Sequence, residues 1–326
     1  MAGIVGSPGA RCVGRRCDLG PTARRVWCRE RRAHDTVDSR SGNAKHLPMT
    51  TITILAENTA RGLGVLGEHG LAWWIDTGTH RVLFDTGQGL VLQHNAKRLG
   101  ADLVTTDAIA LSHGHSDHVG GLETALAAAP QAALYLHPDA VVRRFTGSDR
   151  KPVGRRLSTD FMETEAFRAG GRRVVVSREP QEIAPGVWTT GEIPRTNDFE
   201  DVGGPFFLDE QLTRPDPILD DQTVFFASRE GTVVVLGCAH AGVINTLEHI
   251  RNLTHGAPLH TVVGGMHLLN ADERRLTETF AALRRLGVQR FGPNHCTGFY
   301  ATTLFWHEFP GHCFPCSAGS RLEFPS

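Results

Sequence analysis

Short apolar runs alternate with longer polar stretches from residue 51 onwards, and the lengths of the runs predict strands. Five-residue apolar runs at 51–55, 108–112 and 132–136 each predict a buried strand. The runs LAWWID and RVLFD enclose a Thr-Gly-Thr-His turn at 77–80, and TVFFAS and TVVVLG enclose Arg-Glu-Gly at 229–231. Each of these pairs predicts a β-hairpin. Further strands are predicted at 187–195, where the strand runs into a polar loop, at 260–265, at 288–292 and at the C-terminus.

Helical spacing of apolar positions fills the stretches between these strands. Residues 89–99 predict a helix that ends at Gly100. The other predicted helices are 122–129, 244–253 and 272–287. Residues 145–170 show no period and are rich in Arg, Gly and Ser, so we interpret them as an insertion over one face that could serve as a lid. Both halves of the chain repeat the order hairpin, polar loop, helix, strand and helix, which predicts two β-layers covered outside by helices.

The first 48 residues lack this pattern. They hold ten Lys or Arg residues against four Asp or Glu residues, and we interpret 1–48 as a disordered Arg-rich extension before one folded domain at 49–326. A targeting peptide is the alternative, but acidic residues and the lack of an apolar segment argue against it. The rest of the chain is mildly acidic, which argues against nucleic-acid binding, and it has no run long enough for a membrane helix.

The cysteines do not predict a disulfide framework. The chain has seven of them, an odd number, three of which lie in the extension, and we expect a reducing cytoplasm. Cys313 and Cys316 have the spacing of half a zinc site, but no second such pair exists, so we expect ordinary buried thiols.

The stretch LSHGHSDHVGG at 111–121 concentrates metal ligands directly after a predicted strand. In an extended loop His113 and His115 point the same way and can share one metal ion. If the chain then turns into a helix, Asp117 and His118 reach the same space from another side and can hold a second ion. These donors suit Zn, the ion that we expect, with Mn or Fe as alternatives, so the stretch predicts a site for one or two divalent metal ions.

HGHSDH resembles the HxHxDH signature of the metallo-β-lactamase superfamily. LFDTG at 83–87 is similar to the strand end of the same families, whose Asp, here Asp85, supports the metal-bound histidines. The resemblance runs from residue 51 to the C-terminus and implies an α/β (α+β) fold, a four-layer αββα sandwich with the metals at one edge. The stretches GCAHAGVINT, GGMHL and GPNHCTG resemble a branch of metal-dependent hydrolases related to dihydropterin–ribofuranosylaminobenzene phosphate synthase.

Three histidines at strand ends are the candidates for the remaining ligands. Our preferred assignment adds His240 to His113 and His115 in one site, and His295 to Asp117 and His118 in the other. His267 would then lie behind the metals or contact substrate, although each of the three alone could be a core or surface histidine.

The chain departs from the common superfamily pattern. Many members have a histidine in a PGHT-like turn, where this chain has TTGEIPR, and Cys238 or His240 stands near the place of the usual bridging Asp. Cys238 could be a thiolate ligand or a buried thiol. Other polar residues could support the site or bind substrate, or could equally form turns, caps and surface ion pairs. They are Glu68, His69, Glu192, Arg195, Asp220 and Asp221, of which Arg195 would suit a phosphate.

These residues predict a metal-dependent hydrolase that uses a metal-bound hydroxide on a small-molecule ester, lactone or phosphodiester. Asp117 would orient the hydroxide, and His69 would protonate the leaving group. The first alternative is a dihydropteroate-synthase-like transferase that condenses a dihydropterin diphosphate with an arylamine phosphate. The second is a non-catalytic metal-binding or redox protein. We expect a small, anionic or phosphate-bearing substrate, and a homodimer is possible.

Overall fold

Three β-sheets organise the part of the chain that the structure, a computed structural model, describes: residues 49–148, 151–169 and 171–326. The predicted extension at 1–48 lies outside these residues. The strands are β1 (Met49–Ala56), β2 (Ala72–Asp76), β3 (Arg81–Phe84), β4 (Ala108–Ala110), β5 (Ala133–Leu136), β6 (Phe145–Ser148), β7 (Lys151–Arg156), β8 (Val174–Val176), β9 (Gln181–Ala184), β10 (Val187–Thr189), β11 (Phe206–Phe207), β12 (Val224–Ser228), β13 (Gly231–Val235), β14 (Leu259–Gly265), β15 (Arg290–Asn294) and β16 (Arg321–Pro325).

Seven helices complete the described residues. They are α1 (Leu92–Leu99), α2 (Ser116–Val119), α3 (Leu122–Ala128), α4 (Glu165–Arg168), α5 (Val243–Leu253), α6 (Glu273–Leu286) and α7 (Phe299–Glu308). Gly100 ends α1 in a left-handed conformation, as predicted. No helix among the described residues combines the length and the apolar character that crossing a membrane requires.

Two large sheets face each other, with strand orders β16-β1-β2-β3-β4-β5-β8 and β15-β14-β13-β12-β10-β9. Side chains such as Trp73, Phe84 and Val233 fill the space between them. Leu122 and Leu126 of α3 pack with the outer face of the first sheet, and Ile244, Leu247, Phe280 and Phe305 of α5, α6 and α7 pack with that of the second. The result is the predicted αββα sandwich, because each helix buries its apolar side on one sheet.

The segment at 145–170 is more ordered than the sequence indicated. β6 and β7 form a hairpin, and β11 adds to it as a small third sheet. The hairpin was missed because its strands are rich in Arg and Gly and lack the apolar alternation of a half-buried strand.

The helix α7 was also missed. Its sequence, FYATTLFWHE, is apolar on most sides and has no polar stripe to mark a helical period. Ala301 and Phe305 are buried against the second sheet, while Phe299 and Trp306 are exposed. This helix turns out to border the candidate site.

Candidate metal centre

The predicted metal-binding residues meet at one edge of the sandwich, where parallel strands of both sheets end. The first motif follows β4, His240 follows β13, and His267 and His295 follow β14 and β15. Parallel strands place their carboxyl ends at the same edge, which is where α/β proteins build their sites. The backbone is left-handed at Asp85, Ala239, His267 and His295, a conformation that non-glycine residues adopt at a cost and that is common at functional sites.

His113, His115 and His240 form the first ligand cluster. All three are buried, and one nitrogen from each lies within 4.8 Å of the others. His113 Nε2 is 3.0 Å from His115 Nδ1. His240 donates from Nδ1 to the carbonyl of Val202 at 2.8 Å, which leaves its buried Nε2 without a hydrogen-bond partner among the described residues. An imidazole fixed in this way presents a free lone pair to a metal.

Asp117, His118 and His295 form the second ligand cluster. His118 Nε2 lies 3.3 Å from His295 Nε2, and Asp117 Oδ2 lies 3.7 Å and 3.4 Å from these two nitrogens. Tetrahedral ligands at about 2.0–2.1 Å from a zinc ion are separated by about 3.4 Å. The three atoms are therefore spaced as zinc ligands would be, and the residues fit the metal that the sequence predicts.

Hydrogen bonds at Nδ1 orient the imidazoles of the second cluster. Asp85 Oδ2 accepts from His118 Nδ1 at 2.7 Å, and it also accepts from the hydroxyl of Ser112 at 2.7 Å. Asn58 Oδ1 lies 2.8 Å from His295 Nδ1. These contacts leave Nε2 of both histidines facing Asp117. The sequence indicated a role for Asp85 but not for Asn58. Asn58 reaches His295 because the loop after β1 folds against the end of β15.

Cys238 lies against the second cluster. Its Sγ is 3.1 Å from His118 Nε2, and it forms a further group of metal-capable atoms with His295 and Cys296. Burial raises the pKa of the Cys238 thiol, with the neighbouring Cys296 adding to the shift, so the thiol is neutral in the metal-free chain. Cys238, Cys296, Cys313 and Cys316 are all free thiols, of which Cys238 and Cys316 are buried.

A buried ion network supports the loop of the first cluster. Arg144, which is 1% exposed, donates to Asp216 at 2.6 Å and to both oxygens of Asp220 at 2.6 and 2.9 Å. Asp220 also accepts from the backbone of Gly114, between His113 and His115, at 2.8 Å. A Cβ at Gly114 would lie 2.2 Å from the carbonyl oxygen of Ala140, so only glycine fits there.

Asp221 supports the loop of His240. Its carboxylate accepts from the backbone of Ala241 at 2.7 Å, and burial raises its pKa to about 7.

His267 lies outside both ligand clusters, with its ring 4.2 Å from that of His240. A Cβ at Gly203 would lie 1.9 Å from His267 Nδ1, so this glycine makes room for the ring.

The two clusters differ in charge. Burial lowers the pKa of His113 and His240 well below the usual range, so both are neutral. Burial also opposes the protonation of His118, but the carboxylates of Asp85 and Asp117 outweigh it and raise the pKa to about 9. Although burial opposes its ionisation, Asp117 has a pKa well below the usual range because of His118 and its other histidine contacts. Asp117 is therefore a carboxylate, and a proton on His118 balances it.

A cavity of about 860 Å³ opens onto these clusters, within the usual range for small-molecule sites. We call His113, His115, Asp117, His118, His240 and His295 the floor. Leu269, Phe299 and Trp306, which also line the cavity, form the apolar wall. Polar lining comes from the β6–β7 hairpin, with Thr146 and Arg155, and from His69, whose Nε2 lies 3.3 Å from Asp117 Oδ2.

Three residues predicted at the site lie elsewhere. Glu68 accepts from the backbone of Gln88, Gly89 and Leu90 and braces that loop. Glu192 binds Arg178 at 2.6 Å. Arg195 donates to the carbonyls of Pro217 and Ile218. None of the three lines the cavity, because the polar loop that carries Glu192 and Arg195 folds away from it, and Arg155 is the arginine at the cavity instead.

The chain is similar in sequence to known proteins. The profile of the family described as the metallo-β-lactamase superfamily matches residues 66–258. The 7,8-dihydropterin-6-methyl-4-(β-D-ribofuranosyl)-aminobenzene-5'-phosphate synthase of Methanocaldococcus jannaschii is 29% identical over 270 residues, which span 79% of this chain and 90% of that protein.

Solved structures agree with the fold. A metal-dependent hydrolase of the β-lactamase superfamily superposes with a TM-score of 0.72 at 30% identity, covering 85% of this chain and all of that one. A metallo-β-lactamase-fold protein of Bacillus subtilis, 12% identical, superposes with a TM-score of 0.52 over 85% of this chain and 99% of its own, and it supports the fold alone.

Proposed function

Because the chain belongs to the metallo-β-lactamase superfamily and is an enzyme of that fold, we propose that it hydrolyses an ester, lactone or phosphodiester bond in a small molecule. The observation that carries this proposal is the pair of adjacent ligand clusters at the floor of the cavity. His113, His115 and His240 would hold one divalent ion, and Asp117, His118 and His295 a second, with zinc as the ion that the donors suit best.

A divalent ion bound there would acidify a water molecule to a pKa of about 7 and polarise the bond under attack. Asp117 is ionised and lies at the floor, so its free oxygen can accept a hydrogen bond from the attacking water and orient it. The hydrogen bond with Asp117 raises the pKa of His69, although burial opposes it. We assign His69 Nε2 as the proton donor to the leaving group.

Replacing His115 with alanine tests this assignment. We expect the variant to lose bound metal and to lose turnover by on the order of a thousandfold, since one ligand of the first cluster is gone. Elemental analysis gives the metal content, and a panel of aryl esters, lactones and phosphodiesters gives turnover. His307→Ala, on the exposed side of α7, is the matched control and should keep both. Unchanged turnover in a His115→Ala protein without metal would contradict the proposal.

A second candidate is a transferase that joins a dihydropterin diphosphate to an arylamine phosphate. The observation that favours it is the 29% identity to the Methanocaldococcus jannaschii synthase over most of both chains. Incubating the enzyme with both compounds and searching for the condensed product by mass spectrometry separates the candidates. Product formation would favour transfer, and cleavage of a single substrate in water would favour hydrolysis.

A further inference from the structure

Arg155 is a cation at the cavity with no carboxylate partner within 4 Å among residues 49–148, 151–169 and 171–326. It lies on β7 and pairs across the hairpin with Thr146 of β6, and both line the cavity. Successive side chains of a strand point to opposite faces. The next residue, Arg156, faces away and binds both oxygens of Asp160 at 2.5 and 2.7 Å. Of two adjacent arginines, one is paired and the other faces the site.

Arg155 lines the same cavity as His69, Asp117 and His295. His69 in turn lies 3.3 Å from Asp117. A group bound by the guanidinium would therefore lie beside the residues that we propose to act on the substrate.

The apolar wall presents aromatic side chains to the same cavity. Phe299, Thr302 and Trp306 recur at helical spacing on one face of α7, and all three line the cavity. Phe299 is 89% exposed and Trp306 is 44% exposed. Large apolar side chains that are left open inside a cavity are typical of binding sites, and aromatic rings stack well on them.

We propose that the cavity binds an aromatic compound that carries an anionic group, with the anion on Arg155 and the ring against Trp306 and Phe299. The planar guanidinium of Arg155 matches the oxygens of a phosphate or a carboxylate. Both contacts line the cavity that opens onto the floor, so a compound held by them would lie against the proposed metal centre. This proposal rests on the proposed function for the reaction, but the binding that it describes is measurable without turnover.

Calorimetric titration of the full chain tests the two contacts separately. The probes are naphthyl phosphate, naphthoate, naphthol and inorganic phosphate, each titrated with zinc present and after chelation. We expect Arg155→Met to weaken naphthyl phosphate about tenfold and to leave naphthol unchanged. We expect Trp306→Ala to weaken naphthyl phosphate and naphthol several-fold and to leave inorganic phosphate unchanged. A larger loss for naphthyl phosphate than for naphthoate would identify the anion as a phosphate.

Arg156→Met is the matched control, since it removes the same charge one residue away, and it should bind every probe as the unmodified chain does. Equal affinities of Arg155→Met and Arg156→Met for naphthyl phosphate would overturn the anion contact. An unmodified chain that does not bind naphthyl phosphate would overturn it as well. A Trp306→Ala variant with unchanged affinity for naphthol would overturn the ring contact. Arg155→Met could bind naphthyl phosphate more weakly after chelation too, while His115→Ala stays fully active. That pair of results would refute the proposed hydrolase function and leave the anion contact standing.

Discussion

The floor and the apolar wall of the cavity are built in opposite ways. Floor side chains such as His113 and His118 are buried, and they donate hydrogen bonds to Ser112 and Asp85 that fix their orientation. The wall side chains Phe299 and Leu269 are exposed and have no polar atoms. A reaction needs donors placed within a few tenths of an ångström, whereas stacking tolerates small shifts. In our proposal, the floor determines the chemistry and the wall contributes to the choice of substrate.

The largest effect should come from breaking the network behind the floor. Arg144→Met leaves Asp216 and Asp220 buried without their cation, and we expect a loss of about 3–5 kcal/mol in the free energy of unfolding. Denaturant titration measures this loss. Arg143→Met, whose side chain is 70% exposed, is the adjacent control and should change the free energy by less than about 0.5 kcal/mol. Similar values for both variants would show that the floor does not depend on this network.

The same contrast explains what the sequence could predict. Metal ligands have a characteristic spacing, so HGHSDH, together with the strand ends at His240 and His295, indicated the floor, and short apolar runs indicated both large sheets apart from the edge strands β8 and β9. The small sheet and α7 were missed because their exposed or uniformly apolar residues carry no period. Arg155 and Asn58 could not be found either, because their roles depend on which loop folds onto the cavity. Arg195 was predicted there because its loop stands in place of the usual histidine turn and an arginine suits an anion.

A middle-sized effect should appear in the pH dependence of metal binding. The carboxylates of Asp85 and Asp117 overcome the effect of burial and raise the pKa of His118 to about 9, so below that pH a metal ion must displace its proton. We therefore expect zinc affinity to rise up to about tenfold per pH unit from neutral pH and to level off above about pH 9. Competition with a chelator measures the slope. Asp85→Asn removes one of the two carboxylates and should flatten it, while an unmodified chain with no slope would contradict this charge balance.

The smallest effect should come from Arg195, which tests whether residue type or position decides the role of an arginine. Its guanidinium donates to the carbonyls of Pro217 and Ile218, so Arg195→Ala should cost about 1 kcal/mol of unfolding free energy and leave substrate affinity unchanged. Calorimetry with naphthyl phosphate and denaturant titration give the two values. If Arg195→Ala weakened naphthyl phosphate as much as Arg155→Met, the anion would not be bound on the hairpin side of the cavity. Unchanged binding beside a small loss of stability would mean that only the arginine facing the floor selects the substrate.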